Sequence, residues 1–118
     1  MARGLALGSA IPETERQWAA LMRAEARARL SWLLPPGTIL CMPTTPFPAP
    51  PRGLSLPALE PIRSRILCLA AHGGLAGFPE VSVPGAHVRG VPVGLSMLGA
   101  RGSDASLVAV ARALETAR

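Results

Sequence analysis

Proline stands at positions 43, 46, 48, 50, 51 and 57, all within the run PTTPFPAPPRGLSLP. Each proline fixes φ and removes a backbone donor, so this run can form neither a helix nor a sheet ladder. It has to be a loop of largely extended, preset backbone. Whatever folds regularly must therefore lie on either side of it. Ahead of it, TILCM at residues 38–42 has the short, apolar character of a buried strand. Before that, residues 12–34 are dense in Ala, Leu, Arg and Glu, with Pro12 and two acids in the first turn, which predicts a helix stopped by the PPG at 35–37. Its apolar positions Trp18, Leu21, Met22, Ala26, Leu30 and Leu33 recur at spacings of three and four and are expected to form a buried stripe.

Beyond the loop, LEPIRSRILCLAAH predicts a second helix over residues 59–72, with Ile62, Ile66, Leu69 and Ala70 inward and Gly73-Gly74 ending it. Two strands follow, at 80–83 and 91–98, joined by a turn through PGAHVRG in which Gly85 and Gly90 permit positive φ. Ser103 or Asp104 can cap a closing helix over 103–117 whose apolar positions are Leu107, Val110, Ala111 and Leu114. Helix, strand, loop, helix, hairpin and helix make an α/β chain, a piece of a layered sheet. At 118 residues one domain is expected.

Composition narrows the functional classes. The net charge of +5 would suit a polyanion, but every basic residue is arginine, they are dispersed along the chain, and only 3% of residues are aromatic. That pattern argues against a nucleic-acid partner. The longest weakly polar run, residues 66–78, contains a histidine and is well short of the roughly 20 residues that span a bilayer, so no membrane span is expected. Cys41 and Cys68 have no short pairing, and no secretory h-region is recognisable, which points to a reducing, cytoplasmic setting. A mean hydropathy of +0.34 is high for a free-standing domain of this size. Some of its surface is expected to meet a partner.

Few side chains offer chemistry. Cys68 and His72 are four apart on a predicted helix and Cys41 lies on the neighbouring strand, the one arrangement that suggests a metal; a lone pair at this spacing is common, and no metal or cofactor is assigned. No nucleophile elbow is present, and Ser82, Ser96 and Ser103 read as strand and cap residues. GARGSD at 99–104 is either an amide-lined anion site beside Arg101 or an ordinary strand-to-helix turn.

The order of the features carries more information. ILCMPTTPFPAP at 39–50, followed by GLAGFPEVSVPGAHVRGVPVGLSMLGARGSDASLVAVARALE at 74–115, resembles the C-terminal end of the amidase signature family. Members of that family carry an LLTPT-x-P-x-P-A-P loop and then a segment of the type NLAGLPAISVPAG…GLPVGLQLIG-x-RGSD. Gly74 stands where the family usually has Asn, Ser96 where it has Gln, and PPGT where it has an Asp before the first strand.

The resemblance implies a single partial domain over residues 1–118, part of the layered α/β/α mixed sheet of an amide hydrolase. It also implies a serine nucleophile activated through a second serine by a lysine, with a glycine-serine-rich segment holding the oxyanion. None of those parts is in this chain, which has no lysine at all. It supplies no catalytic residue of the relay, and its expected role is scaffold and pocket wall, inactive alone, with a small amide as substrate only in a complete enzyme. The family's proline loop lies near the substrate cavity, which makes Met42, Thr44, Thr45 and Phe47 the substrate-pocket candidates. The expected partner is an N-terminal amidase region or a second copy of the chain. The alternative is a non-catalytic interaction module derived from the same fold.

Overall fold

The computed structural model describes residue 8 and residues 10–117. Among these, four helices and three strands follow in the order α1 (Glu13–Leu33), β1 (Ile39–Pro43), α2 (Leu56–Ala70), α3 (His72–Ala76), β2 (Glu80–Val88), β3 (Val91–Gly99) and α4 (Asp104–Thr116). The strands form one sheet in the order β1-β3-β2. Both pairings are antiparallel, so among the described residues the sheet is antiparallel throughout.

β3 sits in the centre because it is the most continuously apolar strand, and its residues 96–99 are all buried. Ile39 to Pro43 run opposite Gly99 to Leu95, and Glu80 to Pro84 run opposite Leu98 to Gly94. Because side chains alternate, this register sends two residue sets to opposite faces. On one face Met97 packs with Leu107 and Ala111 of α4, flanked by Ile39, Val81, Val83 and Val110. On the other, Leu98 packs with Leu34, Ala76 and Phe78, flanked by Leu30 and Met42. Helices therefore cover both faces of the sheet.

The hairpin is tighter than the sequence predicts. β2 continues to Val88, and the turn is the pair Arg89-Gly90, both with positive φ (52° and 78°). Two consecutive left-handed residues match the right-handed strand twist. Gly85 does not adopt positive φ; it falls where the pairing slips between Pro84 and Ala86, a bulge on an edge strand. Such a site absorbs the amide that Pro84 lacks.

Other expectations need correction. The second helix begins at Leu56, because Pro57 occupies the first turn, where its missing donor costs nothing. It ends at Ala70, and Gly73-Gly74 lie inside α3 instead of stopping the helix. The stop is Gly77, whose φ of 75° closes α3 in the left-handed conformation. Ile62, Ile66, Leu69 and Ala70 are half-buried, as the inner face requires, though no residue of α2 is fully buried. Ser103 occupies the cap position of α4, but its hydroxyl donates backwards to the Ala100 carbonyl (2.6 Å).

The largest departure is in α1. Leu30 and the following Leu34 reach the core, and the Arg27 Nε–H donates to the Ala76 carbonyl (2.9 Å). Yet Trp18, Leu21, Met22 and Leu33 are exposed, and Trp32 is 81% exposed. The predicted stripe is not one buried face: Leu30 is covered with Leu34, while Trp18, Leu21, Met22 and Leu33 lie on another side of the helix that stays exposed among the described residues. The radius of gyration, 16.7 Å, exceeds the ~13.5 Å of a compact domain of this length. With extents of 49 × 40 × 21 Å, the molecule is a slab.

Candidate functional site

The face of the sheet that carries Leu98 continues past it into polar territory. Ser96 on β3 lies opposite Ser82 on β2 and Met42 on β1, so all three project to the same side. One step further, the Thr44 amide donates to the Gly94 carbonyl (3.0 Å), extending the β1–β3 ladder into the start of the proline loop. The result is a cluster of three hydroxyls. Ser96 Oγ donates to Thr44 Oγ1 (3.1 Å), and Thr44 Oγ1 and Ser82 Oγ are 2.6 Å apart. Ser96 is only 1% exposed, whereas Ser82 is exposed, so the chain of hydroxyls runs from the interior to the surface.

Gly94 makes the cluster possible. A Cβ at this position would lie 2.5 Å from Thr44 Oγ1 and 2.9 Å from Ser82 Oγ. Any larger residue would push the hydroxyls apart. Beside them, Ser82, Pro84, Gly85, Pro92, Val93 and Gly94 line an open depression of about 570 Å³. That is within the size range of small-molecule sites, although it is shallow and open to solvent.

Of the four residues that the sequence marks as pocket candidates, the structure brings two together. Thr44 lies within the hydroxyl cluster, and Met42 is on the same sheet face, packed against the Leu98 core. Thr45 and Phe47 belong to a separate turn, in which the Thr45 hydroxyl donates to the Phe47 carbonyl (2.7 Å). The Phe47 ring lies beneath the Arg65 guanidinium of α2, 5.2 Å from its centroid, a cation–π contact that ties loop to helix. Ser82, Ser96 and Gly94 were not read from the sequence as site residues. The signal was there in the alternation of β2 and β3, but it becomes legible only once Ser82 is known to face Ser96.

The other candidates do not assemble. Among the described residues no group of three or more His, Cys, Asp or Glu side chains lies close enough to hold a metal. Cys41 and Cys68 are both exposed and unbonded, and His72 Nδ1 is 2.6 Å from the Leu69 carbonyl. At GARGSD, the Ser103 amide and hydroxyl are both turned to the Ala100 carbonyl. Among the described residues no helix is long and apolar enough to cross a membrane.

No protein-family model matches the chain. Known proteins do. It is 38% identical over 93 residues to amidase 1 of Oryza sativa subsp. japonica, covering 79% of this chain and 21% of the rice protein. To amidase 1 of Arabidopsis thaliana it is 34% identical over 93 residues, covering 79% of this chain and 22% of that one. A crystal structure of an amidase superposes with a TM-score of 0.75 at 32% identity, covering 97% of this chain and 27% of the amidase. The chain is a relative of the amidase signature family. It corresponds to only about a fifth of the length of the curated amidases it matches and 27% of the crystallised one. Three strands and four helices of this amidase relative thus match one part of a larger fold, and the hydroxyl cluster lies within that part.

Proposed function

We propose that the chain supplies sheet scaffold and one wall of the substrate pocket to an amidase-type C–N hydrolase acting on carboxamides, and that alone it does not hydrolyse them. The observation that carries this reading is the superposition of nearly the whole chain on a quarter of an amidase, together with apolar surface left uncovered along α1. Chemistry supports the division of labour. A serine relay of the type the family resemblance implies needs a neutral lysine to take the alcohol proton and backbone amides to hold the oxyanion. This sequence has no lysine, so a relay of that type would have to be supplied by other residues. Met42 and Thr44, on the Leu98 face of the sheet, would then line the acyl side of the cavity, with Thr45 and Phe47 shaping the loop beside it. The layered α/β/α sheet would be completed by strands added at the β1 or β2 edge. Two exposed, unbonded cysteines fit a reducing, cytoplasmic setting.

The test is ammonia release from acetamide and benzamide by the chain alone and by the chain mixed with an amidase polypeptide lacking the matching segment. Hydrolysis only in the mixture is the expected result. Hydrolysis by the chain alone, or an inert mixture in which the two polypeptides do not associate, would overturn the reading. The exposed tryptophans of α1 also suit the second reading, an interaction module without chemistry; association without ammonia release is its signature.

A further inference from the structure

We propose that Thr44, Ser82 and Ser96 act together as a hydrogen-bond donor to the carbonyl oxygen of a carboxamide, bound where Ser82 meets the depression beside Gly94. The choice of a carboxamide rests on the amidase-type reading; the donor itself follows from counting protons. Three hydroxyls carry three protons. The proton of Ser96 is committed to Thr44 Oγ1. A second lies between Thr44 and Ser82, which at 2.6 Å share one hydrogen bond whichever donates. The third is left over, on Ser82 or on Thr44, and no side-chain or backbone acceptor in the described chain takes it. With Thr44 accepting from Ser96 and donating on to Ser82, the chain runs Ser96 to Thr44 to Ser82 and the Ser82 proton is unused within the cluster.

That direction is not accidental. Ser96 is almost wholly buried and donates to Thr44, so reversing that inner bond would leave a buried proton without an acceptor. Each donated bond also polarises the next hydroxyl, which makes the outermost one a better donor. Ser82 is thus held in place by its neighbours, a preorganised donor at the rim of a concavity. Gly94 keeps the approach clear, since its lack of a side chain leaves backbone and two hydroxyls on the depression wall.

The test is a titration of the isotopically labelled full chain with acetamide, followed by amide chemical shifts, with methylammonium as the probe that has donors but no acceptor. Saturable shifts at Ser82, Gly94 and Thr44 are expected with acetamide and none with methylammonium. Ser82→Ala removes the terminal donor and should weaken binding about 3- to 10-fold, the equivalent of one net hydrogen bond. Ser96→Ala, which cannot touch the ligand, should weaken it about 3-fold by freeing Thr44, while Ser103→Ala should leave it unchanged. Linear, unsaturable shifts, or a Ser82→Ala titration identical to that of the unmodified chain, would overturn the proposal. Ser82 is exposed, so its variant is not expected to unfold. Acetamide binding without restored hydrolysis in the mixture would leave the donor site standing and remove the amidase reading; hydrolysis with an unchanged Ser82→Ala titration would do the reverse.

Discussion

Replacing Gly94 by alanine tests the geometry of the hydroxyl cluster directly. The new Cβ would lie 2.5 Å from Thr44 Oγ1 and 2.9 Å from Ser82 Oγ, distances that real Cβ atoms do not sustain, and a tight 3.0 Å from Thr44 Cβ. Something has to move. If the backbone holds, the site is overpacked, at a cost of about 1–3 kcal/mol. If Thr44 moves aside, the 2.6 Å contact with Ser82 is lost and the buried Ser96 hydroxyl loses its acceptor, which costs about 1–3 kcal/mol for the unsatisfied group. Either route puts Gly94→Ala at about 1–3 kcal/mol destabilising. For a chain of this size that corresponds to a fall in Tm of roughly 4–12 °C. Urea and thermal unfolding followed by circular dichroism measure it. Gly74→Ala is the control, because nothing lies within 4 Å of its Cβ position and α3 is helical there; it should be stabilising by about 0.4–1 kcal/mol. Thr44→Ala removes the atom that Gly94→Ala strikes, so the double variant should fall short of the summed single effects by about 1 kcal/mol. A Gly94→Ala protein within about 0.5 kcal/mol of the original, or strict additivity with Thr44→Ala, would refute the reasoning.

Three further outcomes are expected. Arg27→Ala removes the donor that ties α1 to the Ala76 carbonyl and should cost about 1.5–3 kcal/mol in urea unfolding, since the bond is partly buried and its donor charged. Arg89→Asn, at a non-glycine residue with φ of 52°, should stabilise the hairpin by about 0.5–1 kcal/mol in the same assay, because Asn tolerates the left-handed region better. The chain alone should self-associate, and Trp18→Glu with Trp32→Glu should shift sedimentation velocity toward monomer while leaving the melting temperature within a few degrees; the two indoles are 64% and 81% exposed.

The sequence and the structure agree where local chemistry dominates. The extended proline loop over residues 44–55, a strand at Ile39–Pro43 and the helix over Asp104–Thr116 were legible, although no residue of β1 is fully buried as the sequence predicts, Pro43 pairs with Leu95 in the ladder and Pro57 lies in the first turn of α2. Agreement fails where long-range pairing decides. PGAHVRG contains two glycines and a proline, and locally that spells a wide turn; β3 nevertheless offers partners for Ala86, His87 and Val88, so the ladder continues and the turn shrinks to Arg89-Gly90. The hydroxyl cluster was hidden for the same reason. Thr44, Ser82 and Ser96 are separated by up to 52 positions, and only the two strand registers bring them to one point.

Helix α1 shows why periodicity alone reads burial but not its source. At about 100° per residue, Leu30 and Leu34 lie roughly 120–160° around the helix from Trp18, while Leu21, Met22, Trp32 and Leu33 fall within about 60° of it. The helix therefore has two apolar sides. The first is satisfied within the chain, by Ala76, Phe78 and Leu98. The second, which includes two tryptophans, is exposed among the described residues. A spacing of three and four is the same whether the covering residues belong to the same polypeptide or to another. The expanded radius of gyration and the match to only part of an amidase fit the reading proposed above, in which residues outside this chain cover that side. The hydroxyl cluster follows the same logic in miniature: its inner hydroxyls are satisfied by the fold, and its outermost one is directed to a partner.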